Sequence, residues 1–151
     1  MSVINKINIL ERNKTIKDRF WFKYVFAKDF GGKTGICYKM PIFNLDTITD
    51  ENFNKTVKSY IDYDYKLISI EQSTGLKDKY GKLIYEKDIV RDISTQTVYK
   101  VSHKKCAFYL ENEEYVGYFH ELSQCFSISR LEVIGNIYEN SELLNEVEND
   151  T

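Results

Sequence analysis

The sequence is poor in the residues that most often carry chemistry. It has two histidines, His103 and His120, and no H-E-x-x-H or Cys/His cluster at ligand spacing. That excludes the usual zinc sites. The three cysteines, Cys37, Cys106 and Cys125, are odd in number, far apart and without a CxxC pair. Such spacing argues for reduced thiols in a cytosol rather than a disulfide framework. The one proline, Pro41, leaves long extended runs unbroken. No apolar run reaches the length of a membrane span, and no signal-peptide core is visible, so a cytoplasmic location away from membranes is expected. Positive charge is not in excess: 21 Lys and Arg face 23 Asp and Glu, a net charge of −2. A general nucleic-acid coat protein needs a basic surface and is disfavoured.

What is present is the composition of an ordinary globular protein, 42% hydrophobic and 29% charged. A length of 151 residues fits one domain or two small ones sharing a core. Aromatics reach 15%, with twelve tyrosines, and favour strands and large buried areas. Charge is uneven. Lys6, Arg12, Lys14, Lys17, Arg19 and Lys23 crowd the start, and Glu139, Glu142, Glu146, Glu148 and Asp150 crowd the end. A solvated arm and tail explain this. A sharper explanation is head-to-tail contact between subunits, or a tail that mimics a polyanion.

Periodicity places the elements. Ile4, Ile7 and Leu10 permit a short amphipathic helix at the start. Phe20, Phe22, Tyr24 and Phe26 alternate with Trp21, Lys23, Val25 and Ala27, a strand pattern. The GGKTG that follows lacks the first glycine of a P-loop and precedes another strand-like run, Ile36 to Met40, so it is a hairpin turn. Asp46 to Ile61 reads as the one clear helix, capped by Thr49 or Asp50 and apolar at Phe53, Val57 and Tyr60 or Ile61. Asp62 to Glu71 is extended, with Tyr63, Tyr65 and Leu67 on one face and Ile68 and Ile70 on the other. Short strands then follow at 83–85, 89–90, 97–101, 106–110, 115–119 and 131–138, spacing that suits a small barrel.

The organising stretch is Gln72 to Val90, QSTGLKDKYGKLIYEKDIV. Gly75 and Gly81 sit where turns ask for positive φ. Leu83-Ile84-Tyr85, the charged break Glu86-Lys87-Asp88 and Ile89-Val90 suit a strongly bent sheet. Together with LEVIGNIYEN at Leu131 to Asn140, this stretch resembles the YopX family of phage and prophage proteins. The resemblance covers roughly the C-terminal half. It departs from the family pattern at Lys87, where glycine is usual, and at Tyr80-Gly81, where Asn-Gly is common. It implies an SH3-like barrel and a phage-linked origin, and no reaction.

Three constellations deserve weighing. His120-Glu121 with Cys125 lacks an oxyanion hole or orienting group, so no catalytic dyad is expected. Asp78, Glu86 and Asp88 could hold Mg²⁺ or do acid–base work, but turn-rich contexts favour carboxylate-to-backbone bonds. Lys100, His103, Lys104 and Lys105, with Tyr99, could form a single-strand nucleic-acid platform. A solvated turn is the plainer reading.

The expectation is a mainly β protein: an N-terminal β-rich segment with one helix (1–69), an SH3-like barrel (70–138) and an acidic tail (139–151). Its core should include Leu83, Ile89, Cys106, Phe108, Leu110, Val133 and Ile137. Such barrels mostly bind. The first functional reading is therefore a non-enzymatic phage or prophage accessory protein acting through protein contacts, in its sharpest form an inhibitor of a host defence factor such as a CRISPR-type nuclease. The alternative is a nucleic-acid-binding accessory protein using Lys100, His103, Lys104 and Lys105. No catalytic residue, metal or cofactor is expected, the protein-binding residues are not specified, and self-association stays open. Activity would then take place in the bacterial host cytoplasm.

Overall fold

A computed structural model describes residues 21–44, 48–105, 107–114, 116–118 and 130–145. The helix weighed near Ile4 to Leu10, the His120-Glu121-Cys125 group and Cys106 lie outside these residues. The protein is mainly β, with one α-helix among the described residues. The chain forms two compact units divided between Ser73 and Thr74.

In the first unit β1 (Trp21–Asp29) is central. It pairs antiparallel with β2 (Ile36–Lys39) and β3 (Ile42–Asn44) along one edge and with the start of β4 (Lys66–Lys77) along the other. Pro41 lies between β2 and β3, where no ladder N–H is needed, and its carbonyl accepts from Tyr24 N at 3.0 Å. The β1–β2 connection is the expected hairpin turn. Phe30 N donates to the Gly35 carbonyl at 2.9 Å, and Asp29 Oδ1 accepts from Gly31 N at 2.8 Å.

The helix α1 spans Asp50–Asp62, starting four residues later than the periodicity suggests. Thr49 caps it, its hydroxyl accepting from Asn52 N at 3.3 Å. The alternating aromatics of β1 explain where it packs. Phe53 meets Tyr24 and Phe43 edge-on, with ring centroids 5.3 and 5.2 Å away, and Tyr60 lies 5.1 Å from Phe26. No α1 residue is fully buried.

β4 corrects the expected face assignment. A bulge sets Val25 opposite Ser69 but Phe26 opposite Leu67, so Ile68 is the extra residue. Leu67 and Ile70 therefore share the aromatic face, instead of lying on opposite faces. All three apolar side chains are about half exposed.

The second unit holds the end of β4, β5 (Leu83–Tyr85), β6 (Asp88–Asp92), β7 (Val98–Lys104), β8 (Ala107–Glu111), β9 (Val116–Tyr118), β10 (Leu131–Asn136) and a 3-10 turn at Ser141–Leu144. β5 pairs with β4. The other strands form one antiparallel sheet in the order β10-β6-β7-β8-β9. The sheet is curled into a half-barrel and is compatible with the expected SH3-like form.

Its core is Ile84, Val90, Val101, Leu110 and Leu131, with Leu76, Tyr99, Phe108 and Val133 packed against it. This revises the expected list. Ile84 takes the buried place expected for Leu83. Ile89 is fully buried, but it pairs with Lys100 while Val90 pairs with Tyr99, so the two point to opposite faces. Val133 pairs with Val90, then a bulge at Ile134 sets Gly135 opposite Ile89. Val133 and Gly135 thus lie on different faces, although period two puts them together.

The turns are built as the glycines suggest. Gly75 and Gly81 both have φ of +79°. Lys87 takes φ of +64°, a left-handed conformation that glycine adopts more readily. Its backbone ties two strands: Lys87 N donates to the Val101 carbonyl at 2.6 Å, and its own carbonyl accepts from Ile137 N at 3.0 Å. Gly135 has no room for a side chain, since an added Cβ would collide with the Asn140 side chain. What approaches it is this nearby amide, whose oxygen accepts from Asn136 N.

Candidate functional site

The β7–β8 hairpin holds the basic residues singled out in the sequence, and its register decides what they can do. Lys100 pairs with Glu111, Val101 with Leu110, Ser102 with Tyr109, His103 with Phe108 and Lys104 with Ala107. Opposed residues of an antiparallel pair share a face. Lys100, Ser102 and Lys104 therefore stand on one face, and Val101 and His103 on the core face. The four candidate residues do not form a single strip.

Glu111 organises the first face. Lys104 Nζ lies 2.8 Å from Glu111 Oε2, and Lys100 Nζ lies 3.2 Å from Oε1. The Ser102 hydroxyl donates to Oε1 as well. The Glu111 side chain is only 13% exposed. Burial alone would raise its pKa, but hydrogen bonds from Lys104, Ser102 and Lys100 outweigh it and lower the value to about 2. The carboxylate is thus ionised throughout the physiological range and serves both lysines.

His103 faces the other way. Its ring stacks on Phe108 at 4.5 Å between centroids, and Nδ1 sits 3.5 Å from Glu86 Oε2. Lys105 occupies the hairpin end with φ of +49° and is exposed. Lys104 is exposed as well, its side chain at 61%.

The carboxylates of the organising stretch serve the backbone. Asp78 is buried, and its Oδ1 accepts from Tyr80 N and Lys82 N, both at 2.9 Å. Its Oδ2 accepts from Val133 N at 3.0 Å, while Lys79 N donates to the Leu131 carbonyl at 2.8 Å. One aspartate thus closes a turn and fastens it to β10. Asp88 Oδ2 accepts from Tyr85 N at 2.9 Å and fixes the β5–β6 bend. Asp92, which the sequence did not mark out, accepts from Ser94 N at 2.9 Å and pairs with Arg130 at 3.1 Å. Among the described residues, no group of three or more His, Cys, Asp or Glu is placed to hold a metal ion. Cys37 is a free thiol.

A groove of about 300 Å³ lies beside the Glu111 cluster, bounded by Lys100, Glu111, Glu113, Val116, Leu144 and Asn145. The sequence gives no sign of it, because Ser141–Leu144 carries no strong helix pattern. Glu111 itself was findable: a hairpin reversing at 105–106 sets residue 100 against residue 111.

The YopX family model, described as YopX protein, matches residues 34–145. The chain belongs to the YopX family. The match reaches well into the first unit, through α1 and β4, further than the C-terminal half that carries the quoted motifs. No curated protein sequence matches the chain. Among the described residues of this YopX-family protein, no helix is long and apolar enough to cross a membrane.

Proposed function

We propose that this YopX-family protein is a non-enzymatic phage or prophage accessory protein that acts by contacting another protein in the host cytoplasm. One observation carries the reading. Phe30, Ile36, Ile42, Ile61, Tyr63, Leu67, Ile68 and Ile70 of the first unit are all exposed, with Tyr63 at 69%. Exposed apolar and aromatic side chains in such number are the usual anchors of protein interfaces. The acid–base candidates Asp78 and Asp88 are occupied as turn acceptors. The sharper form, inhibition of a CRISPR-type or other defence nuclease, draws on the family's phage association.

The alternative, nucleic-acid binding, has the Lys100–Lys104–Lys105 side in its favour. Against it, one carboxylate serves Lys100 and Lys104, and His103 faces elsewhere. The test is capture from host lysate with and without added nuclease, by the parent and by a Lys100→Gln, Lys104→Gln, Lys105→Gln variant. Glutamine keeps hydrogen-bond donors beside Glu111. A protein partner retained in all four arms is expected, with DNA and RNA bound no tighter than on the order of 10⁻⁴–10⁻⁶ M at moderate salt. A partner lost on nuclease treatment, with steeply salt-dependent binding lost in the triple variant, would favour the alternative. Added to a defence-nuclease assay, the captured pair tests the sharper form.

A further inference from the structure

The groove beside the Glu111 cluster is lined by both signs of charge and by apolar surface. Lys100 pairs with Glu111, and Glu111 pairs with Val116, so these side chains form one row across β7, β8 and β9 on a single sheet face. Leu144 and Asn145, at the end of the 3-10 turn that packs beside β7, stand along the groove, and Glu113 bounds it at the β8–β9 turn. We propose that this groove binds a small zwitterion with an apolar side chain, a free apolar α-amino acid or a dipeptide of such residues. The inference goes beyond the protein-contact reading, which concerns the first unit, and stands without it.

Three features support it. The first is charge. Lys104 meets Glu111 at 2.8 Å, the Ser102 hydroxyl donates to it, and Lys100 meets it at the longer 3.2 Å. Lys100 thus makes the weaker of the two lysine contacts, and its ammonium has three donors. Its side chain is 38% exposed and borders the groove, where a ligand carboxylate meets it. Two lysines against one carboxylate leave one positive charge, and Glu113 on the groove wall supplies one negative charge. A ligand with one charge of each sign matches that balance: its carboxylate pairs with Lys100 and its ammonium with Glu113. The second is apolar surface. Val116 is 65% exposed and shares the groove with Leu144, so an apolar ligand side chain laid on both leaves water with them. The third is size. A groove of about 300 Å³ lies at the small end of ligand sites, enough for one or two residues. The ion pairs are solvent-facing, so binding is weak and salt-sensitive.

Amide spectra of the full-length protein titrated with leucine and, separately, with leucyl-leucine test it. Glycine, N-acetyl-leucine and leucinamide are the controls that lack the side chain, the ammonium and the carboxylate. The expected result is saturable shifts of the Lys100, Glu113, Val116 and Leu144 signals with leucine or leucyl-leucine, the tighter of the two giving the size of the occupant. Each control should bind several-fold more weakly. Glu113→Gln should weaken binding of the zwitterion several-fold and leave N-acetyl-leucine unaffected. Lys100→Gln should weaken the zwitterion likewise and leave leucinamide unaffected. Glu113→Gln keeps Lys100, Ser102 and Lys104 in place on Glu111, so it decides the matter even if Lys100→Gln disturbs β7. No shift at these positions with either ligand would overturn the proposal. So would N-acetyl-leucine or leucinamide binding as tightly as leucine, which would mark an apolar surface without charge selection, or a Glu113→Gln variant that binds like the parent.

Discussion

The two units bury their apolar residues in different ways. The second unit encloses Ile84, Val90, Val101, Leu110 and Leu131 in one cluster and locks its turns with Asp78, Asp88 and Asp92. The first unit relies on aromatic rings meeting edge-on around Phe53 and tilted at Tyr60, with Val25 and Phe26 its fully buried hydrophobics among the described residues. Among the described residues, eight of the ten exposed large hydrophobic side chains belong to the first unit. Apolar residues in a strand or helix do not by themselves make a core. The second unit uses them to hold a shape, and the first leaves many at the surface, where a partner can use them.

The contrast can be broken by matched core truncations. Leu110→Ala should cost about 3 kcal/mol, because it empties a space in a closed cluster. Phe53→Ala, on a half-buried helix face, should cost about 1 kcal/mol. Urea unfolding of each variant checks this, and equal costs would erase the distinction. Asp78→Ala should come next at roughly 2–3 kcal/mol, since three backbone N–H groups lose their acceptor. Its thermal midpoint should fall well below the parent's.

Acid unfolding sharpens the picture of the second unit. Glu111 has a folded pKa lowered from 4.5 to about 2. Its contribution is present above pH 4.5 and is lost as pH falls toward 2. Discounted for the exposed lysine partners, it is on the order of 2 kcal/mol. Stability followed from pH 5 to pH 2 should drop more in the parent than in Glu111→Gln. The smallest expected effect is a gain. Lys87→Gly relieves a left-handed lysine but gives up the 3.1 Å contact from Nζ to the Tyr138 hydroxyl. The balance should be about 0.5 kcal/mol in favour of glycine, read as a higher melting temperature. A lower one would mean that the Tyr138 contact outweighs the backbone strain.

Much of the fold was legible, and the failures share a cause. Strict alternation marked the strands, glycine marked the turns at Gly75 and Gly81, and helical spacing marked the helix, whose cap, open between Thr49 and Asp50, is Thr49. Alternation breaks at a bulge, which is a matter of pairing and leaves no composition mark. The bulges at Ile68 and Ile134 therefore reversed the expected faces of Leu67 and of Gly135. Ile84 was passed over for Leu83 because a three-residue strand has too few positions to fix its phase. At the candidate site, the basic residues were visible but their division between two faces was not. That division follows from the register of β8 against β7, which brings Glu111 onto the lysine side and Phe108 onto the histidine side.

The central claim is that the exposed apolar residues of the first unit serve contact with a partner rather than the fold. The most direct measurement combines melting temperature and partner capture for Ile36→Asp with Tyr63→Asp, at side chains 54% and 69% exposed. An unchanged melting temperature with loss of capture is the predicted result. A large fall in melting temperature, or full capture by a stable double variant, would contradict it.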